Sequence, residues 1–479
     1  MKYFNNNSDN KEPPGPWGLP IVGYLPFLGR KTNLTLTNLR KKYGDVYQIR
    51  IGSRKIVVIC GQRAIREATL NKGTDFAGRP DFYTYKIGFG AFGQPGYSLS
   101  DKIYRRLTMK AMHAFAGVRK RELEQVAYRA VTEVIDEIEA MDKEPVNPLN
   151  LLNNAAWTIM SYMCYGRVFD KNSPQVKDVF AKTQAFAKTM MFGVIVDYFP
   201  WAKFMLRKQL AELNVLLGTI DVISNELGQE DSQDQQIEGS QKTISDIFRQ
   251  TMAEMTAEEK RELQIDDATL KGLATSLFGA GFGTIAATIR WAVLLLAKHE
   301  DVQHKMWKEL DRVVGRDHYP DLDDMASLPY SVATLAEVLR WSSMSALGIT
   351  HAAVVDTELD GYRIPKGTPV VLNLFSAHRD TSCFPDPERF SPERFLYLDG
   401  SLNKAALENI MPYGLGARRC GGEPIARVEV FIFFTTIVQR CQIVEHPDHP
   451  LDPYNYFFGL GISPLPFKLV FVKRDLRKS

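Results

Sequence analysis

The run Tyr413-Gly414-Leu415-Gly416-Ala417-Arg418-Arg419-Cys420-Gly421-Gly422 constrains this chain more than any other stretch. Glycines on both sides of the thiol leave the backbone free to fold tightly around something large and flat. The two arginines beside Cys420 are expected to lower its pKa and hold it as a thiolate, the form that ligates metal. Arg418 is also placed to reach an anionic group on whatever is bound. One sulfur with no second thiol or imidazole nearby makes a poor zinc or iron–sulfur site, since those need about four protein ligands. It suits a cofactor that brings its own nitrogens, and heme answers that description. The plain alternative is a glycine-rich turn around a buried structural cysteine, which a lone Cys-x-Gly would favour.

So many fixed positions leave that alternative little room. The run resembles the heme-binding signature of the cytochromes P-450, Phe-Gly-x-Gly-x-Arg-x-Cys-x-Gly, with Tyr413 at the first aromatic. The resemblance implies that Cys420 is the proximal ligand of a heme b iron, a thiolate that favours O–O bond cleavage. Tyr413, Gly414 and Arg418 are then cofactor-binding. It also implies the family's single-domain fold, mainly α with small β-sheets.

Composition agrees with that class. The chain has 479 residues, 45% hydrophobic and 24% charged, ordinary globular values with no linker that would separate independent cores. A net charge of +3 is too balanced to argue for nucleic acid. The five cysteines are odd in number and scattered, as reduced intracellular thiols are. Residues 1–12 are polar, with no signal-peptide core and no apolar stretch long enough to span a bilayer, and residues 13–479 are read as the catalytic domain. Pro13-Pro14-Gly15-Pro16 is similar to the proline-rich hinge that follows a membrane anchor in animal microsomal members. The chain is expected at the endoplasmic reticulum membrane if an anchor once preceded that hinge, and in the cytoplasm otherwise.

Alternating Val46 to Ile51, a Gly52-Ser53 turn and Lys55 to Cys60 predict a β-hairpin. Helical periodicity dominates from about Lys102, at Glu122 to Ile138, Leu206 to Leu227 and Thr269 to His299. The polar stretch from Gln229 to Lys242 reads as a surface loop. After Arg340 come short β segments at Gly348 to Val355, Tyr362 to Pro365 and Thr368 to Leu374, then a helix over Ile425 to Gln439 and β-like pieces over Gly459 to Val472. Gly88-Phe89-Gly90-Ala91-Phe92-Gly93 matches a dinucleotide pattern but lacks the leading strand and following helix, so a loop near a substrate mouth is expected instead.

Phe278-Gly279-Ala280-Gly281-Phe282-Gly283-Thr284 lies inside a long apolar helix, where each glycine costs roughly 1 kcal/mol relative to alanine. Close approach of a planar cofactor, a locally widened helix or a tight helix crossing would each compensate. The segment resembles the family's oxygen-activation helix, Ala-Gly-x-Asp/Glu-Thr. By that resemblance Ala280 lies at the cofactor and Thr284 hydrogen-bonds dioxygen and helps organise its protonation. Gly283 departs from the pattern by replacing the acid that would relay protons. Two outcomes follow: slower, leakier oxygen activation, or a heme-thiolate isomerase, dehydratase or lyase that does not consume dioxygen.

Glu337 and Arg340 lie at i and i+3 in apolar surroundings, a plausible buried pair that needs further partners. They resemble the family's Glu-x-x-Arg motif, with Arg394 of Pro392-Glu393-Arg394-Phe395 as third member of a structural lock. For the heme propionates the resemblance offers His351, Arg418 and Arg105, the last from a Trp-x-x-x-Arg motif whose tryptophan position holds Asp101. Arg105, Arg106, Lys110, Arg119, Lys120 and Arg121 form a basic cluster, usually a solvated face but also suited to an acidic electron-transfer partner. No flavin module is visible, so electrons are expected from NADPH through a separate cytochrome P-450 reductase or similar donor. The stretch from Phe395 to Arg440 is similar to the animal branch of steroid 17-hydroxylases and aryl-hydrocarbon hydroxylases. That implies a monooxygenase for a lipophilic, steroid-like or aromatic substrate. Phe192, Phe278, Leu347 and Ile462 are candidate pocket residues, each equally suited to ordinary core.

Overall fold

The computed structural model describes residues 11–474 other than 89–94, 118, 142, 167, 169, 171–172, 175, 182–194, 209, 212–242 and 264. The 89–93 loop, Phe192, the Gln229–Lys242 loop and most of the helix expected from Leu206 lie outside the described residues.

After helix α1 (Thr32–Tyr43) the expected hairpin forms from β1 (Val46–Ile51) and β2 (Arg54–Cys60), with Ile51 opposite Arg54. Strands β3 (His351–Ala352), β4 (Thr357–Leu359), β5 (Tyr362–Ile364) and β6 (Pro369–Asn373) follow much later. Strand β6 is wholly buried, pairs in parallel with β2 and carries β3 on its other edge, completing a sheet of order β1-β2-β6-β3. The extended segment expected over Gly348 to Val355 shrinks to two paired residues, because only His351 and Ala352 find a β6 partner. Near the carboxyl end, β7 (Cys441–Glu445) pairs with β10 (Leu469–Lys473), and β8 (Tyr456–Phe458) with β9 (Ile462–Pro464).

Between the sheets lie α2 (Leu99–Ala116), α3 (Lys120–Ala140), α4 (Pro148–Tyr165), α5 (Asp267–Lys298), α6 (Glu300–Val313), α7 (Pro329–Ser342) and α8 (Glu423–Arg440). Their ends follow capping chemistry. Ser98 and Asp101 form a reciprocal capping box on α2, the Asn147 side chain accepts from the Leu149 amide at the start of α4, and Gly166 ends that helix at φ +77°. The segment Thr269–Lys298 of α5 is long and apolar enough to cross a membrane, yet 67% of its most apolar stretch is buried inside the protein, as in a core helix. Along α4 it interlocks through aromatic rings, Trp157 standing edge-on to Phe278 at 4.7 Å and to Phe282 at 5.6 Å.

Glu337 and Arg340 on α7 are wholly buried and joined twice, at 2.7 and 2.8 Å. Arg394 Nε and the Ser391 amide donate to the same carboxylate at 3.1 and 2.9 Å, while Arg340 Nη1 donates to the carbonyls of His378 and Pro387, both at 2.9 Å. A buried ion pair is tolerable when its remaining donors and acceptors are met in this way. Removing one partner strands the other. Glu337→Ala is expected to cost ~3–5 kcal/mol, read as a lower thermal unfolding midpoint and a collapse in the yield of soluble protein. An unchanged midpoint would show that the lock is dispensable.

Candidate active site

The cysteine loop is built by backbone geometry. The Cys420 amide donates to the Tyr413 carbonyl at 2.8 Å, and Gly414 and Gly416 turn the chain at φ +68° and +67°. At Gly416 a Cβ would also stand 1.9 Å from the Thr69 carbonyl oxygen, so no side chain fits there. The loop delivers Cys420 to the start of α8, where the amides of Gly422 and Glu423 donate to its sulfur.

The thiol's charge environment differs from expectation. Cys420 is open to the cavity, but the protein around it keeps bulk water from the sulfur; that is the largest influence and pushes its pKa up, with the Glu423 charge adding to it and the two amides and Arg105 opposing it. The flanking arginines turn elsewhere. Arg419 pairs with Glu423, and Arg418 reaches away to Asp101 at 3.1 Å and to the Ala77 carbonyl at 2.7 Å. The helix-terminal amides favour the thiolate where the neighbouring arginines were expected to, without outweighing the loss of bulk water.

Cys420 faces a cavity of about 1170 Å³, larger than the ~300–1,000 Å³ of a single small-ligand site. Thr284, Ala280, Tyr413, Gly414, Arg418, Arg105 and His351 all line it. Phe278 does not: it is buried against Trp157 and Tyr165, while Phe282, one turn on, takes the wall position. Leu347 and Ile462 are likewise core residues, whereas Gly348, Ile349, Gly461 and Ser463 face the space. Leu347 and Ile462 each sit one residue out of step with the wall.

Helix α5 is α-helical throughout at its glycines, so the widened turn is not present. The glycines have two separate reasons. A Cβ at 281 would meet Met160 Sδ of α4 at 2.5 Å, a tight crossing; at 279 and 283 it would meet nothing within 4 Å. The Thr284 hydroxyl bonds back to the carbonyls of Ala280 (2.9 Å) and Gly281 (3.0 Å).

One edge of the cavity collects cations. Arg79, which the sequence reading missed, is 8% exposed, donates through Nη1 to the carbonyls of Ile349 (3.1 Å) and Thr350 (3.0 Å), and is pushed down to about 9 by burial and by Arg418. Its signal in the sequence was faint, an arginine between Gly78 and Pro80. Burial, then Arg79, pushes His351 down to about 3; its Nδ1 donates to the Phe76 carbonyl at 2.8 Å, which leaves Nε2 an acceptor. His351 is thus neutral here rather than the cation expected, until an anion offsets the arginines. Among the described residues no carboxylate lies within ion-pair distance of Arg79 or Arg105, whose Nη1 donates to the Arg419 carbonyl at 2.6 Å. Buried Arg79 and half-buried Arg105, neither paired with a carboxylate, suit an anionic ligand. A heme fits these residues: Cys420 would hold its iron and the arginines its two propionates.

The basic cluster does not stay together. Arg105 turns to the cavity, Lys110 pairs with Glu254, Arg119 with Glu122 and Lys120 with Asp323, while Arg106 and Arg121 remain exposed.

Arg79→Leu is expected to speed heme loss to an acceptor protein by about tenfold or more, since a hydrogen bond to a charged group is worth about 1.5–3 kcal/mol. Equal transfer rates would remove Arg79 from the site.

Comparison with known proteins follows the same line. The sequence profile described as cytochrome P450 matches residues 13–471. Cytochrome P450 1A1 of Cavia porcellus is 32% identical over 453 residues, 92% of this chain and 88% of that protein. Cytochrome P450 1B1 of Homo sapiens is 30% identical over 477 residues (97% and 87%), and cytochrome P450 1A2 of Mesocricetus auratus 32% over 472 residues (96% and 91%).

Proposed function

The chain belongs to the cytochrome P450 family and is a heme-thiolate monooxygenase, and we propose that Cys420 holds its iron while Thr284 serves the oxygen side and a flat lipophilic molecule is its substrate. When bound, heme b would supply the redox chemistry by which dioxygen, two protons and two electrons drawn from NADPH through a separate reductase yield a hydroxylated substrate and one water. The isomerase or lyase reading raised by Gly283 is not favoured.

One observation carries the role of Cys420: a lone sulfur receiving two helix-terminal amides while facing a cavity rimmed by arginines. Around it, this chain's own residues divide the work. The Gly422 and Glu423 amides hold the sulfur's charge, and the arginine edge orients the anionic side of the cofactor. Phe180, Phe282, Leu277, Ala280, Ile349 and Leu460 form apolar walls that exclude water and suit an aromatic or sterol-like skeleton. Thr284 presents a hydroxyl oxygen from mid-α5, and Gly283 beside it presents nothing. Asp101 is the one carboxylate among the cavity's described lining residues and is already held by Ser98 and Arg418. Protons therefore reach the Thr284 hydroxyl through water rather than along side chains. Exposed Arg106 and Arg121 offer positive charge to an acidic electron donor.

For location, support comes from Trp17, Ile21, Phe204 and Met205, which are 96%, 75%, 73% and 75% exposed. Their segments converge at the β1–β2 turn, where Gly23 bridges Ile51 and Phe199 abuts Gly52. Lys203, Arg207 and Lys208 flank the second segment. Apolar rings beside basic residues suit a phospholipid surface, here that of the endoplasmic reticulum. Phe204→Ser with Met205→Ser is expected to cut flotation with anionic vesicles; unchanged flotation would refute the membrane face.

The reduced carbonyl adduct is expected to show a thiolate-type spectrum that Cys420→Ser abolishes, and turnover with the reductase is expected to stop without oxygen. A panel of planar aromatics and sterols, scored by the shift in heme absorption, sorts the substrate class. A Cβ at 283 meets nothing within 4 Å, and Gly283→Asp is expected to speed oxygen activation by up to ~100-fold, the lower part of the range for a positioned general acid. It also lowers hydrogen peroxide release per NADPH; a rise in peroxide would sink the water-only account.

A further inference from the structure

Asp101 is where this chain leaves the pattern at the cationic edge, and its two oxygens do two different jobs. Oδ2 accepts from the Ser98 amide and hydroxyl, both at 2.8 Å, closing the capping box of α2. Oδ1 accepts from Arg418 Nη2 at 3.1 Å, in a pair whose side chains are only 3% and 7% exposed. Arg418 is fixed from its other sides by Nε on the Ala77 carbonyl (2.7 Å) and by stacking over Tyr97 at 4.8 Å. The carboxylate is thus rigidly placed on the wall of the same cavity as Arg79, Arg105 and His351.

Charge at this edge then has a definite balance. Arg79, Arg105 and Arg418 supply three cations, and His351 is neutral. A bound dicarboxylate alone would leave one positive charge in excess; with Asp101, three carboxylates meet three guanidinium groups. In a low-dielectric interior, a fixed charge near a metal shifts the relative stability of its oxidation states. We propose that Asp101 is a positioning residue for the cofactor: it holds Arg418 in place and its negative charge lowers the midpoint potential of the bound heme, making the first electron harder to accept. The inference rests on Cys420 and the arginine edge binding heme, and deepens that reading.

Redox titration of the loaded protein tests it. Asp101→Asn is expected to raise the one-electron midpoint potential by about 59 mV, a tenfold change in the reduction equilibrium. Asp101→Glu, which keeps the charge, is expected to stay near the parent. Ser98→Ala breaks the cap and lowers the unfolding temperature while leaving Oδ1 and the potential in place, so it separates helix stability from charge. If Asp101→Asn loads poorly, Asp101→Trp removes the same charge and is expected to move the potential in the same direction. Equal potentials in parent and Asp101→Asn would overturn the proposal, as would an equal shift in Ser98→Ala. Failure of both charge-removing variants to take up heme, with Ser98→Ala loading normally, would overturn it too, since a residue that tunes potential is not required for loading. A parent protein without a thiolate-type carbonyl spectrum would instead refute the heme reading itself.

Discussion

Placement of one sulfur at the start of α8 governs the rest of the molecule. The sulfur cannot be set by its own side chain, which is short; it is set by the backbone that carries it. Gly416 packs so closely on the Thr69 carbonyl that the loop has one permitted approach, and the Cys420 amide closes it against Tyr413. Thr69 itself belongs to the segment after β2, so the sheet at the amino end fixes the loop near the carboxyl end. The buried Glu337–Arg340–Arg394 network steadies the same region from α7, through carbonyls of the chain between β6 and the loop. Rigidity here is bought with burial and hydrogen bonds far from the chemistry.

Helix α5 shows how one sequence pattern can answer two demands. Three glycines at alternate positions look like a single device, yet they face in different directions. Gly281 faces α4 and lets Met160 in, an ordinary consequence of close helix packing. Gly279 and Gly283 face open space, which packing against α4 does not explain. The adjoining aromatic residues divide in the same way, Phe278 into the α4 contact and Phe282 onto the cavity wall.

Those pairs mark where the sequence stops being legible. Elements held by local pattern were readable: the turns of the cysteine loop, the Glu337–Arg340 spacing, the first hairpin and the helices over Glu122 to Ile138, Thr269 to His299 and Ile425 to Gln439. Wall positions were not, because a helix or strand tells inside from outside only relative to a partner. Ile462 lies one step out of phase with Gly461 and Ser463, and Leu347 with Gly348; nothing in the chain announces which parity faces the space. Arg79 was invisible for another reason. Its environment is assembled from Ile349, Thr350 and Arg418, all distant in sequence, so neither its burial nor its missing counterion has a local signature. The flanking arginines misled in the opposite sense, since adjacency in sequence to Cys420 did not survive the turn that sends Arg418 to Asp101.

The chain departs from the family pattern at two points of this site. A carboxylate is absent at Gly283, on the oxygen side, and one is present at Asp101, on the arginine edge. The first removes a fixed proton donor and the second adds a fixed negative charge. With Asp101 lowering the potential as proposed, both would act in one direction, since a site short of protons gains from admitting electrons reluctantly: reducing power that arrives ahead of protons is lost as peroxide. A side chain change that eased reduction alone would make the enzyme leakier, and one that restored the acid alone would leave the electron step limiting.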